Sequence, residues 1–382
     1  MHPRYRAYSR RDALRFAGGT VAGGLLAACA APGTTRTAAQ SGDAAFRVDV
    51  VATGLDTIWG LAFAPDGRLF VTERPGRIRV IENGQLREAP VLELPARETA
   101  GGEGGLMGLA LDAATFPRDP FLYVAYTAET GQGGTRNRLV RLRLDGDTAR
   151  EDGVLLDDLP AGTNHNGGRV KFGPDGKLYA TLGEQYVTQR AQDRAALAGK
   201  IVRLNGDGTV PDDNPFPGSP VFSWGHRNPQ GLAWQPGTGR LYATEHGQSL
   251  NDEVNLIEAG ENYGWPMAEG ATHPAPYRAP LAAYRAPTAP GGATFSDSDA
   301  LPQWRGNLFF AALRGTHLHR IALDANDPRR IAGEERLLDG QYGRLRDVVQ
   351  GPDGALYVAT SNRDGRGNPN SEDDRVLRIG PR

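Results

Sequence analysis

Cysteine is almost absent: Cys29 is the only one in 382 residues. No intrachain disulfide can form, so no covalent cross-link holds the fold. A membrane-spanning segment is missing too. The apolar run from Phe16 to Ala28 is about 13 residues, too short to cross a bilayer as a stable helix. No run of Lys or Arg suggests a nucleic-acid partner. No Cys-x-x-Cys-His is present, which excludes a covalent haem. A glycine-rich dinucleotide fingerprint in a βαβ setting is also lacking, which argues against a nicotinamide cofactor.

What the chain does have begins with an address. Ser9-Arg10-Arg11-Asp12-Ala13-Leu14 places twin arginines ahead of the short apolar run, the pattern of a twin-arginine export signal. Leu26-Ala27-Ala28-Cys29 resembles a bacterial lipobox, with cleavage before Cys29 and lipid on its sulfur. A plain signal peptide with a chance cysteine is the alternative. Residues 1–28 are therefore expected to be signal, and removing their five Arg and one Asp moves the formal charge from −2 to −6. Residues 29–44 lack large apolar side chains and read as a lipid-anchored flexible tether. The expected location is the periplasmic face of a bacterial membrane. Residues 45–382 are the folded domain.

Glycine (51) and proline (27) are abundant, so turns dominate over long helices. A Pro-Asp-Gly hairpin recurs between apolar runs. It appears in LAFAPDGRLFVTE (61–73), VKFGPDGKLYATL (170–182), LAWQPGTGRLYATE (232–245, with a longer turn) and VVQGPDGALYVAT (348–360). Degenerate copies at 109–126 and 302–313 fill the gaps, giving a period of about 45 to 70 residues. Six hairpins, each with room for two further strands, predict an all-β chain. The expected architecture is a six-bladed β-propeller of four-stranded antiparallel blades. A β-sandwich would repeat its strands every ~8–12 residues without this longer period.

The repeat also predicts a site. Aligned on Gly60-Leu61, the copies put His165, Arg169, Arg227, Asn228, Arg344 and Arg346 at the entrance to the first strand of a blade, with Glu103 slightly further out. Glu245-His246-Gly247 and Arg314 follow returning strands, which emerge at the same rim. These residues are thus expected to surround one mouth of a central channel. Taken alone, His165 is a turn histidine beside two glycines that allow unusual backbone angles. The arginines are separate surface ion pairs or, lacking obvious carboxylate partners, an anion site. Taken alone, Glu253 is a solvated loop acid.

Four segments in order carry a resemblance: NHNGGR (164–169), GHRNPQG (225–231), DEVNL with NYGWP (252–266) and GRLRDV (343–348). Together they resemble the soluble, pyrroloquinoline quinone (PQQ) dependent aldose sugar dehydrogenases, over about Val50 to Ile379. The resemblance implies oxidation of an aldose C1 hydroxyl to a lactone, with His165 as general base and hydride transfer to PQQ. It places Glu103, Arg227, Asn228, His246, Arg314, Arg344 and Arg346 around PQQ. It implies Ca²⁺ at the carbonyls of Gly247 and Gln248, and a structural Ca²⁺ at Glu253 and the Tyr263 carbonyl. Two departures stand out: similar proteins commonly carry Gln where this chain has Glu103, and Lys where it has Arg314. The implied partners are an aldose sugar and an unidentified electron acceptor, with no nucleic acid. Two other readings stay open: a PQQ-free propeller that binds a ligand or partner, and a metal-dependent lactonase.

Overall fold

The computed structural model describes residues 46–99 and 101–382. The expected signal peptide, tether and lipidation at Cys29 lie outside the described residues. Those residues form six antiparallel sheets and no α-helix; the only helical segments are short 3₁₀ turns at Thr188–Gln192 and Pro302–Trp304. The six-bladed propeller expected from the repeat is therefore the fold.

The innermost strands are Ile58–Phe63, Leu106–Ala110, Val170–Phe172, Pro229–Trp234, Pro290–Phe295 and Leu345–Gln350, in blades one to six. Each pairs with the next strand in sequence, as a hairpin must. Blade one splits its outermost position between Gln85–Leu86 and Leu92–Glu93, both paired to Arg77–Glu82. Blade six borrows its outer strand from the other end of the chain: Phe46–Ala52 pairs antiparallel with Val376–Pro381. One hairpin differs from expectation. The segment 302–313 supplies only the second strand of blade five, Leu308–Ala312, and its partner is Pro290–Phe295. Pro302 opens a 3₁₀ turn instead, as a residue with fixed φ and no N–H does well at a first helical position.

Strand alternation divides the core into layers between blades. In Phe121–Glu129 of blade two, Leu122, Val124, Tyr126 and Ala128 pack towards blade one, on Phe70, Ile78 and Val80. Tyr123 and Ala125 pack the other way, on Val170, Leu178 and Val202 of blade three. Four more clusters fill the remaining gaps around the ring. Near the axis the blades meet too closely for a side chain. A Cβ on Gly108 would lie 2.2 Å from the Gly168 carbonyl oxygen, and one on Gly291 would lie 2.2 Å from that of Arg346.

Register shifts interrupt the inner strands just below the rim: between Ile58 and Gly60, Leu106 and Leu109, Pro229 and Gly231, Pro290 and Ala293, and Leu345 and Asp347. Such bulges re-aim a side chain. Here two residues at the shifts, Trp59 and Gln230, meet Arg169 in the channel, and a third, Arg346, meets both of them. Arg169 and Arg346 sit over the Trp59 ring at 4.5 and 5.3 Å from its centroid. Arg169 also pairs with buried Asp347 at 2.9 Å, and Asp347 accepts from the backbone N–H of Leu61. This plug ties blades one, three, four and six together and forms a floor.

Candidate active site

Above the floor lies a cavity of about 350 Å³. Its walls bring together Glu103, His165, Arg227, His246, Gly247, Arg314 and Arg344, seven of the residues expected at one rim, with Gln248 beside them. Asn228 and Arg346 lie one layer deeper. Asn228 is fully buried, accepting from Gly167 N–H at 2.9 Å and donating to Glu103 at 3.4 Å. Arg346 donates to Gln230 at 2.6 Å. Glu253 and Tyr263 line a smaller adjoining cavity that shares Arg227, His246 and Gly247 with the first.

His165 sits where the chain enters blade three, and its backbone is left-handed, with φ at 60°. For a non-glycine residue that costs on the order of 1–3 kcal/mol and needs a structure around it to hold it. Gly167 and Gly168 follow with φ of 67° and 89°, where glycine is at ease. The His165 N–H donates to Glu103 at 3.1 Å, and its ring packs on Tyr186 at 4.1 Å between centroids. His165 Nδ1 lies 2.6 Å from an oxygen of buried Glu184. A carboxylate accepts, so in the neutral ring Nδ1 carries the proton and Nε2 the lone pair. Among the described residues no group bonds to Nε2. His226 matches it in the next blade and is spent: Nδ1 bonds Glu245 and Nε2 bonds Ser223, both at 2.9 Å, with no exposure.

The arginines differ from expectation in one respect. Arg344 has a carboxylate partner, Asp364, at 2.7 Å. The acid arrives twenty residues later on a neighbouring loop, too far along the chain to be read as local. Arg227, Arg314 and Arg346 have no carboxylate partner among the described residues. Arg227 and Arg346 each keep a buried Nε without a hydrogen bond. Burial lowers the Arg346 guanidinium to about 9 despite the pull of Asp364 and Glu103. Desolvation likewise depresses the His246 imidazole, whose Nε2 lies 2.9 Å from the Pro290 carbonyl oxygen.

Burial by itself would raise the Glu103 carboxyl, but His246, Arg366, Arg346 and His165 outweigh it and bring it down to about 2. Arg366 is the direct partner, at 3.2 Å. Glu103 is thus an ionised carboxylate whose cationic partners near neutral pH are Arg366 and Arg346.

The donor set fits the groups the resemblance implies. Buried guanidinium nitrogens awaiting acceptors suit a polycarboxylate such as PQQ. The Gly247 and Gln248 N–H groups donate to Asp252 at 3.0 Å and Glu269 at 2.8 Å. Their carbonyls accept no hydrogen bond among the described residues, and oxygen donors of this kind suit Ca²⁺. Gly247 has no room for a Cβ, which would lie 2.2 Å from the Leu250 carbonyl oxygen. In the smaller cavity, which Tyr263 also lines, burial raises the Glu253 carboxyl and Glu245 adds to the rise, against hydrogen bonds with His273 and Asn255. Among the described residues no three His, Cys, Asp or Glu side chains converge as a metal cage.

Several working residues were not singled out in the sequence. Glu184 lies just past the returning strand of blade three, Glu245 ends that of blade four, and this correspondence was the available signal. Asp252 holds Gly247 and also accepts from the Thr288 and Ala289 N–H groups at 2.7 and 2.8 Å. Gln230, Asp364 and Arg366 carried no comparable signal.

Comparison with known proteins agrees with this geometry. Residues 55–369 match the model of the family described as Glucose / Sorbosone dehydrogenase. Aldose sugar dehydrogenase YliI of Escherichia coli K12 is 33% identical over 362 residues, covering 89% of this chain and 94% of its own. The PQQ-bound structure of an aldose sugar dehydrogenase from Streptomyces coelicolor superposes with a TM-score of 0.78 at 38% identity, covering 92% and 99% of the two chains. A candidate oxidoreductase (glucose dehydrogenase) from Thermus thermophilus gives 0.80 at 47% identity, covering 87% and 99%. The chain belongs to the glucose/sorbosone dehydrogenase family.

Proposed function

We propose that this member of the glucose/sorbosone dehydrogenase family, a PQQ-dependent sugar dehydrogenase, oxidises the C1 hydroxyl of an aldose to the lactone in the arginine-lined cavity. The observation that carries the reading is His165: its Nδ1 proton is held by Glu184, and its Nε2 is left free at a cavity facing Arg227, Arg314 and Arg344.

His165 Nε2 takes the C1 hydroxyl proton, and Glu184 stabilises the imidazolium that forms while fixing the ring's orientation. Arg227, Arg314 and Arg344 offer guanidinium donors to the carboxylates of PQQ, with Arg346 below, and the Gly247 and Gln248 carbonyls hold Ca²⁺. A bound PQQ–Ca²⁺ pair supplies a two-electron acceptor for the hydride leaving C1, with the cation as Lewis acid. Glu253 and the Tyr263 carbonyl hold a second, structural Ca²⁺. Residues 1–28 direct export by the twin-arginine route, and lipidated Cys29 anchors the enzyme to the periplasmic face of the membrane. Electrons then leave to an acceptor there.

Reconstitution tests the reading. Purified apoprotein is incubated with PQQ and Ca²⁺, then given glucose and a redox dye. Sugar-dependent dye reduction with lactone as product is expected. Lactone hydrolysis without PQQ, or no PQQ binding at all, would overturn it.

A further inference from the structure

Arg366 lies in the segment that follows the second strand of blade six, yet its guanidinium reaches groups near the entrances to blades two and three. It donates to Glu103 Oε1 and the Gly101 carbonyl at 3.2 Å each, and to Asn164 Oδ1 at 2.6 Å. Its own backbone N–H is fixed by Asp364 at 2.9 Å, and Asp364 also holds Arg344. Arg366 is 40% exposed and lines both the His165 cavity and a neighbouring one of about 390 Å³. It therefore bridges loops of different blades at the edge of the site without facing the reacting groups as His165 does.

The partner it holds is not idle. Glu103 Oε1 takes the Arg366 bond, while Oε2 accepts the backbone N–H of His165 at 3.1 Å. Asn228 and Gln230 add weaker contacts to Oε2 at 3.4 and 3.5 Å. The backbone bonded in this way is the one with φ at 60°. A strained backbone persists only where its surroundings over-determine it.

We propose that Arg366 is a positioning residue: it anchors Glu103 across the cavity mouth, and Glu103 in turn holds the His165 backbone in the left-handed conformation that keeps its ring on Glu184. The glutamate that departs from the commoner glutamine then has a purpose here. A carboxylate accepts from Arg366 and from His165 N–H at once, and its charge is matched within the protein rather than set against an anionic ligand. The charged and titratable groups facing it are Arg366, Arg346, His246 and His165.

The idea rests on His165 being the base, so the test has one arm that needs neither cofactor nor substrate. Imidazole ¹⁵N shifts are recorded on apoprotein, with the His165 signals assigned from a His165→Asn variant. The wild type is expected to show the single Nδ1–H tautomer at His165. Arg366→Met should mix the tautomers as the ring leaves Glu184, and Arg366→Lys should restore the wild-type signature in part. In the reconstituted enzyme, Arg366→Met should lower kcat about 10–100-fold, the loss expected of a small misplacement of a catalytic group.

A third arm reads the charge through PQQ titrations of apoprotein between pH 5 and 8. Wild-type affinity should not respond to Glu103 over that range. Arg366→Met should bind PQQ more weakly as pH rises, because the unmatched carboxylate ionises beside the ligand. The double variant Glu103→Gln/Arg366→Met should lose that pH dependence. A wild-type tautomer pattern in Arg366→Met, or a double variant with the same pH dependence as Arg366→Met, would overturn the proposal. If the wild type binds no PQQ, or His165→Asn turns over normally, the dehydrogenase reading fails instead, and the tautomer arm still decides the role of Arg366.

Discussion

His165 and His226 occupy matching places in consecutive blades, each bonded through Nδ1 to a glutamate nineteen residues further on. What separates a working base from a structural histidine is the other nitrogen, which Ser223 occupies in His226 alone. His165→Ala should therefore lower kcat by roughly 10²–10⁴ while PQQ still binds; near-normal turnover would remove the assigned role. His226→Ala should instead destabilise the fold, read as a lower Tm of the apoprotein, because it leaves Glu245 and Ser223 without their buried partner. Glu103 makes a pH prediction. Its carboxyl lies below its ordinary value of 4.5, at about 2, so the stabilisation it gives is complete above about pH 4.5 and is lost as pH falls towards about 2. Glu103→Gln should flatten the acid limb of a Tm-against-pH curve over that window, and an unchanged limb would mean the carboxylate is not held as described. His165 was legible in the sequence because two glycines and a repeat position marked it. Arg366 was not, because nothing local to residue 366 points to Glu103 at the entrance to blade two.

At the level of the strand, the inner strands do two jobs at once. Their glycines let blades meet near the axis, and their bulges turn Trp59, Gln230 and Arg346 into the channel beside Arg169. The hairpin signal made the strands legible, since Asp-Gly turns and flanking apolar runs are local features. Bulges were not, because an extra residue shows only against the partner strand. That is also why Arg344 and Arg346, two residues apart, end at different depths: Arg344 precedes the strand, and the register shift between Leu345 and Asp347 falls at Arg346. The split start of blade five escaped for a related reason, as PGGATF carries three small residues and no strong apolar run. Asp347 is the keystone of the plug, accepting from Arg169, Leu61 N–H and its neighbour Val348 N–H. Asp347→Ala leaves Arg169 buried without its counter-ion and should cost about 3–5 kcal/mol. Urea unfolding followed by tryptophan fluorescence measures this, with Trp59 in the plug as one reporter; a loss under about 1 kcal/mol would show that the ion pair is not what joins the blades.

Over the whole molecule, the ring closes because the first described strand, Phe46–Ala52, completes the last blade on Val376–Pro381. Phe46 and Val48 are buried against blades five and six, so this strand adds core as well as hydrogen bonds. A protein starting at residue 45 should fold and bind PQQ, whereas one starting at residue 53 should lose cooperative unfolding or fail to stay soluble. Equal stability of the two would contradict closure by this strand. The period made the blade number legible, but not which end of the chain supplies the closing strand, because strand pairing between the termini leaves no local pattern. The same ring geometry gathers residues from Glu103 to Arg366 at one mouth. We propose this mouth as a PQQ site in which His165 takes the sugar's proton. The most direct measurement is a single-turnover experiment on apoprotein reconstituted with one equivalent of PQQ in Ca²⁺, with the absorbance of bound PQQ followed after glucose is added. Wild type should bind PQQ stoichiometrically and lose the oxidised spectrum on adding sugar, and His165→Ala should bind PQQ equally but keep that spectrum at least ~10²-fold longer. Failure of the wild type to bind PQQ, or equally fast reduction in the alanine variant, would contradict the account.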